Sequence, residues 1–138
     1  MRLTGGGIYT FTVYVAYDGQ TYTDTVGVKV WNQPELDAML RDKWNGMKVA
    51  LAQGDAAGAS SYFTLETKEK YFGIFDAVKD ALPAVVQGMG EISPVVYSPY
   101  QAKYRIYREQ IIQGTPQTIT YYIYFVVDTD GIWKIYRF

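Results

Sequence analysis

Residues 121–138, YYIYFVVDTDGIWKIYRF, decide how this chain folds. Two runs rich in aromatic and β-branched side chains flank Asp128-Thr129-Asp130-Gly131, so the stretch predicts a β-hairpin. Asp128 and Gly131 suit the first and fourth positions of a type I turn. Gly131 is free to take the left-handed conformation that closes a three-residue loop with a bulge. That loop length sets the register: Asp128 faces Ile132, Val127 faces Trp133, and Phe125 faces Ile135. Ile123, Phe125, Val127, Trp133 and Ile135 then share one face. A four-residue loop would pair Val126 with Trp133 and mix Lys134 with Phe125. Since a one-residue slip exchanges the two faces of a strand, burial favours the shorter loop. The opposite face carries Tyr122, Tyr124, Val126, Lys134 and Tyr136, an aromatic set for a surface in water. As a calcium loop, Asp128-Thr129-Asp130-Gly131 would lack a third oxygen ligand before the glycine and a closing glutamate. The turn is therefore expected, with no metal and no cofactor.

Composition bounds the rest. The 138 residues suffice for one ordinary domain, or for a domain of about 100 residues plus a fragment. With 49% hydrophobic and 20% charged residues the chain is of a folding kind. Its 14 tyrosines favour β structure. A net charge of −1 with the signs interspersed leaves no electrostatic footprint for nucleic acid or an anionic membrane. Absence of cysteine removes disulfides and thiolate chemistry, and absence of histidine removes the usual general base and the commonest zinc ligand. Any chemistry would fall to carboxylates, Tyr, Lys or Ser. No run approaches the ~18 apolar residues of a membrane span. The start, MRLTGGG, lacks the apolar core of a signal peptide, so export would need a signal outside this sequence.

Upstream, residues 1–32 carry a hairpin pattern. Tyr9, Phe11, Val13, Val15 and Tyr17 alternate with smaller or polar residues, Asp18-Gly19 supplies a two-residue turn, and Val26, Val28 and Val30 alternate on the return. Both strands are expected to be half-buried. Asn32 and Glu35 form a capping-box pattern, with Pro34 tolerated in the first turn. The helix that follows presents Leu36, Met39, Leu40, Lys43, Trp44, Met47, Ala50 and Leu51 on one face and ends at Gly54. Asp55 caps a short second helix. A third begins near Thr67, presents Tyr71, Phe72, Ile74, Phe75 and Val78, and closes at Leu82-Pro83; residues 84–89 add a last turn. Strands follow from Ile92, the first an edge because of Pro94 and Pro99. Tyr100, Ala102, Tyr104 and Ile106 mark the buried face of the next, with Lys103, Arg105, Tyr107 and Glu109 outward. Residues 114–117 turn the chain into the last hairpin. Helices followed by antiparallel strands make an α+β domain with helices on one face of the sheet.

Residues 33–138 resemble the nuclear transport factor 2-like superfamily. The likeness rests on Trp44 with Met47 in the first helix, Gly54-Asp55 opening the second, Tyr62-Phe63, the Lys70-Tyr71 to Phe75 helix, and the ending Tyr124-Phe125-Val126 then Asp130-Gly131-Ile132-Trp133-Lys134-Ile135. It implies a curved antiparallel sheet wrapped around the first helices as a cone, in some members with a pocket at its mouth. Isomerases, cyclases, dehydratases and non-catalytic binding or assembly domains share that fold, so fold does not supply function. Residues 1–32 resemble the last strands of a bacterial immunoglobulin-like or polycystic-kidney-disease-like repeat. That resemblance implies a β-sandwich whose earlier strands lie outside this sequence, within a larger surface or secreted protein.

Candidate sites follow from the two faces. Trp44, Met47, Phe72, Phe75, Tyr104, Tyr121, Phe125 and Trp133 are the pocket candidates inside the cone, with Tyr104 and Tyr121 as candidate phenolic donors. No catalytic residue is expected: Asp76 and Asp80 fit the solvated side of the third helix, and Glu91 and Glu109 fall at strand ends or outward. Tyr107, Tyr122, Tyr124 and Tyr136 are the interface candidates on the outer face, since exposed aromatic patches mark contact with a partner. A second copy of the chain, the preceding hairpin or a glycan would fit there. The resembled superfamily often pairs through this face, which puts a homodimer first. The expected role is a non-catalytic binding or assembly domain in an extracytoplasmic protein. The alternative is a binder of a small apolar ligand, or an isomerase-like or cyclase-like enzyme, using the cone.

Overall fold

The structure is a computed structural model and describes residues 6–138. It contains four α-helices and two antiparallel sheets, a mixed helix-and-sheet fold. The chain divides into two compact units, Met1–Met39 and Leu40–Phe138.

The first unit holds β1 (Gly7–Tyr17) and β2 (Gln20–Val30), paired antiparallel along their whole length. Asp18 and Gly19 both take positive φ, 49° and 70°, as a two-residue Asp-Gly turn requires. The expectation of half-buried strands fails over most of the ribbon. Val13, Val15, Tyr17 and Val26 are exposed, because two strands alone supply no second layer to cover either face. Residues 1–5 of the expected hairpin segment lie outside the described residues. Helix α1 (Gln33–Ala52) starts in this unit on the predicted capping box: the Glu35 N–H donates to Asn32 Oδ1 at 2.9 Å, and the Asn32 N–H to Glu35 Oε2 at 3.5 Å.

In the second unit α1 buries Leu40, Trp44, Met47 and Leu51, a stripe at helical spacing. The helix closes on Gly54, with the Asp55 N–H bonded to Ala50 O at 2.9 Å. Asp55 then accepts from the Gly58 N–H at 2.8 Å and caps α2 (Ala56–Ser60). Helix α3 (Lys68–Ala77) buries Tyr71 and Phe75. Contrary to the sequence expectation, Leu82 and Pro83 do not close that helix. They open α4 (Leu82–Gln87), because proline is compatible with a first turn, where its missing N–H is no loss.

The sheet has the order β3-β4-β5-β6, all antiparallel: β3 (Ser93–Tyr97), β4 (Gln101–Ile112), β5 (Thr115–Val127) and β6 (Trp133–Arg137). The last hairpin has the predicted register, with Val127 opposite Trp133 and Phe125 opposite Ile135. Gly131 (φ 78°) donates to Asp128 O, and the Asp128 N–H to Ile132 O, both at 2.9 Å. Beyond Ile135 the register shifts, so that Arg137 lies opposite Tyr124. Tyr136 is thus the extra residue of a bulge. The β4–β5 turn sits at Gln113-Gly114, both at positive φ, and not over residues 114–117. A two-residue primed turn suits the twist of the strands and lets both run longer than expected. Tyr100, expected in the buried face, is 74% exposed in the loop before β4. After α2 the chain adds a parallel bridge at Phe63 to Ile135, where the Thr64 N–H meets Ile135 O at 3.0 Å and the Ile135 N–H meets Tyr62 O at 2.9 Å. No helix among the described residues is long and apolar enough to cross a membrane.

Candidate functional site

The site begins with three donors on one side of α1. Arg41 donates to Ile92 O at 2.6 Å, the Trp44 indole to Gly90 O at 3.4 Å, and Lys48 to Met89 O at 3.3 Å. Helical spacing brings these side chains onto one strip, and the carbonyls they meet belong to the segment that joins α4 to β3. These bonds satisfy three carbonyls at partly buried positions. The segment is therefore held against α1, and Met89 with it.

Phe138 is fixed in the same way from the other side. The Tyr71 hydroxyl donates to Phe138 O and accepts from the Phe138 N–H, both at 3.2 Å. The Phe138 ring stacks on Tyr71 with centroids 5.5 Å apart and stands edge-on to Trp44 at 5.4 Å. Simple alternation from Trp133 would send Phe138 outward. The bulge at Tyr136 reverses that, which is why sequence reading missed this residue.

Between these walls lies a cavity of about 300 Å³, lined by Trp44, Val85, Gly88, Met89, Ile106, Arg108, Tyr121, Ile123 and Phe138. A second hollow of about 350 Å³ adjoins it. Val85, Met89 and Phe138 border both, and Leu51, Lys70, Tyr71, Ile74, Phe75, Val78 and Leu82 complete the second. A wider hollow of about 580 Å³ opens on the other side of the sheet beside Gln101, Val126, Asp128 and Tyr136. It is an open depression on the outer face, so the two apolar cavities offer the better enclosure for a small molecule.

The predicted pocket residues divide. Trp44 and Tyr121 line the first cavity and Phe75 the second. Met47, Tyr104, Phe125 and Trp133 are buried and border none of the three hollows, so they are core. Phe72, expected inside the cone, is instead 39% exposed, one residue from Tyr71 and so turned away from the buried stripe of α3. The Tyr104 hydroxyl shares a 2.9 Å hydrogen bond with that of Tyr97, as a core tyrosine needs. Tyr121 lies at the rim, and its oxygen accepts from Gln110 Nε2 at 3.2 Å. Asp76, Asp80, Glu91 and Glu109 are all exposed, and no Asp or Glu side chain lines either apolar cavity. Arg108 does line the first cavity and was missed. The alternation Ala102, Tyr104, Ile106 already placed position 108 on the buried face of β4, so the signal was present.

On the outer face Tyr107 and Tyr122 remain 51% and 43% exposed, while Tyr124 and Tyr136 are half-covered. Cations lie over these rings. Lys103 is 4.1 Å from the Tyr122 centroid, Arg105 5.2 Å from Tyr107, and Arg137 4.5 Å from Tyr124. Tyr136 instead reaches Glu66 at 3.5 Å. At the edge of this face Lys134 bonds Asp130 at 2.7 Å and Asp128 at 3.0 Å. N–H groups of Leu65 and Thr129, with Lys134, hold the Asp128 carboxyl below its ordinary range. Lys134 and the Ile132 N–H do the same for Asp130, and the two carboxylates raise Lys134. Burial on α1, helped by the nearby Lys134 charge, lowers Lys43. With its oxygens occupied by these donors, the Asp128 turn acts as a structural knot.

No protein-family profile matches the chain, and no curated protein matches it. Among solved structures it is similar to a Campylobacter jejuni protein provisionally named a nuclear transport factor 2-like transpeptidase. The two are 15% identical with a TM-score of 0.46, over 78% of this chain and all of that one. At that identity and score the likeness assigns neither family nor activity to this chain.

Proposed function

We propose that residues 40–138 form a non-catalytic binding domain of the nuclear transport factor 2-like kind, a cone that holds a small apolar ligand. One observation carries this reading: the cavity wall is aromatic and aliphatic, and Arg108 and Tyr121 are its only polar side chains apart from the engaged Trp44 indole. A volume near 300 Å³ sits at the low end of ordinary small-molecule sites, roughly 300–1,000 Å³. The acid–base pair that an isomerase or cyclase needs is missing from the wall, which favours binding over turnover. The test uses a neutral probe, 4-phenylbutan-1-ol, followed by thermal shift. A concentration a hundredfold above Kd would stabilise the fold by about 2.7 kcal/mol, a rise of several degrees. Val85 borders both cavities and is partly exposed, so Val85→Phe should fill their shared wall without unfolding the chain and remove the shift. A wild-type protein that shows no shift with any neutral apolar probe would refute the proposal.

A second reading is favoured by the tyrosines with cations over them. Sugar rings stack on exposed aromatic faces, and Lys103, Arg105 and Arg137 would pair with the carboxylates of an acidic glycan. Face-to-face pairing with a second copy would bring these cations together, which counts against the homodimer through this surface. An extracellular setting for such a glycan agrees with the immunoglobulin-like resemblance of the first hairpin. Glycan-array binding by the wild type that Tyr122→Ser with Tyr124→Ser abolishes would support it; no acidic glycan retained at low salt would sink it.

A further inference from the structure

Along the buried face of β4 and β5 the cross-strand pairs change in polarity step by step. Tyr104 faces Ile123, Ile106 faces Tyr121, Arg108 faces Ile119, and Gln110 faces Gln117. The dry end of this series lies beside Trp44, and the wet end opens to solvent. Arg108 breaks the apolar run at the cavity rim. Other sheet cations have partners: Lys103, Arg105 and Arg137 lie over tyrosine rings, and Lys134 holds two aspartates. The Arg108 side chain has no ring, hydrogen-bond or ion-pair partner among the described residues. Gly88 lies beside it: a Cβ there would sit 3.7 Å from Arg108 Nη2, an ordinary contact. At the same rim the Tyr121 oxygen accepts from Gln110, which leaves the phenolic proton available to donate.

We infer that Arg108 is the specificity-determining residue of the cavity, and that the ligand is an amphiphile with an apolar body and a single carboxylate head. The inference rests on the ligand-binding reading above and names the class of ligand. The body lies against Trp44, Ile123 and Phe138, and the head meets the guanidinium, which pairs with a carboxylate through two parallel N–H groups. One arginine balances one negative charge. A phosphate monoester, near two negative charges, calls for more cations or a cradle of backbone N–H groups, and the lining supplies neither.

The experiment compares two probes of one shape, 4-phenylbutyrate and 4-phenylbutan-1-ol, by calorimetric titration of the full chain at pH 7 and low salt. The acid should bind about tenfold tighter than the alcohol, and the preference should shrink as salt is added. Arg108→Gln should erase the preference, bringing the acid down to the affinity that the same variant shows for the alcohol. Arg108→Lys should keep part of it. Arg108 is exposed, so these variants should fold, and their melting curves check that. Alcohol binding that Val85→Phe removes, together with no preference for the acid, overturns this inference and leaves the cavity reading standing. No binding of either probe overturns both. A preference that survives Arg108→Gln but falls in Lys70→Gln would move the head to the adjoining hollow and overturn the assignment to Arg108.

Discussion

Replacing Tyr71 by phenylalanine removes one oxygen atom and two hydrogen bonds. The hydroxyl is the clasp on Phe138, donating to its carbonyl and accepting from its N–H, both at 3.2 Å. The phenyl ring left by Tyr71→Phe keeps the stack on Phe63, centroids 4.1 Å apart, and that on Phe138. No cavity larger than the lost oxygen opens. At about 0.5–1.5 kcal/mol per hydrogen bond, the two should total about 1–3 kcal/mol. For a chain of 138 residues that lowers the melting temperature by about 3–10 °C. Tyr71→Ala, which also removes the stacked ring, should cost about 3–5 kcal/mol. The Phe138 ring borders both apolar cavities, so loosening it should also weaken binding of 4-phenylbutan-1-ol. Ordering one side chain on binding costs about 0.5–1.5 kcal/mol, a two- to tenfold loss in affinity. Urea unfolding gives the first quantity and calorimetry the second. A Tyr71→Phe protein with unchanged midpoint and unchanged affinity would refute the clasp, as would one as unstable as Tyr71→Ala.

The Asp128 turn gives a pH prediction. Both carboxyls are depressed, so their contribution is complete above the unfolded value of 3.8 and is lost as pH falls through the folded value. Lys134 is raised, so its contribution is complete below 10.5 and is lost as pH rises through its folded value. Asp128→Asn should flatten the acid limb of a urea-midpoint profile, whereas Lys43, depressed by burial, should make stability rise with pH as it loses its proton. Gly131→Val should cost at least about 1–2 kcal/mol, because φ is 78° there and a β-branched side chain fits the left-handed region poorly; a neutral result in chemical denaturation would deny that turn. Exchange of amide hydrogens should be fast in β1 and β2, which form a two-stranded sheet, and slow in central β4 and β5 from Ala102 to Ile106 and from Tyr121 to Phe125. Equal protection in both sheets would contradict this.

Much of the fold was legible because its signals are local. The capping box at Asn32, the cap at Asp55 and the turn at Asp128 each depend on residues within a few positions of one another, and each forms as read. The register of the last hairpin followed from turn length and burial together. What escaped was set by longer-range packing or by exceptions to alternation. Phe72 looked as apolar as Tyr71, and only the packing of α3 separates them. Pro83 reads equally as a stop or as a first turn. Phe138 depends on a bulge that alternation does not announce, and its clasp comes from a helix 67 residues away in sequence. Arg108 was readable from strand alternation, since it stands two positions beyond Ile106 on the same face of β4.

The bulge in β6 bears on how this chain tolerates changes in length. Deleting one residue between Ile123 and Val127 exchanges inside for outside along the rest of β5. Deleting Tyr136 removes the residue that alternation cannot place: Arg137 stays over Tyr124, and Phe138 stays against Trp44. The strand thus holds a spare position, occupied by a tyrosine on the outer face. A shortened chain could give up that side chain and keep both surfaces in phase.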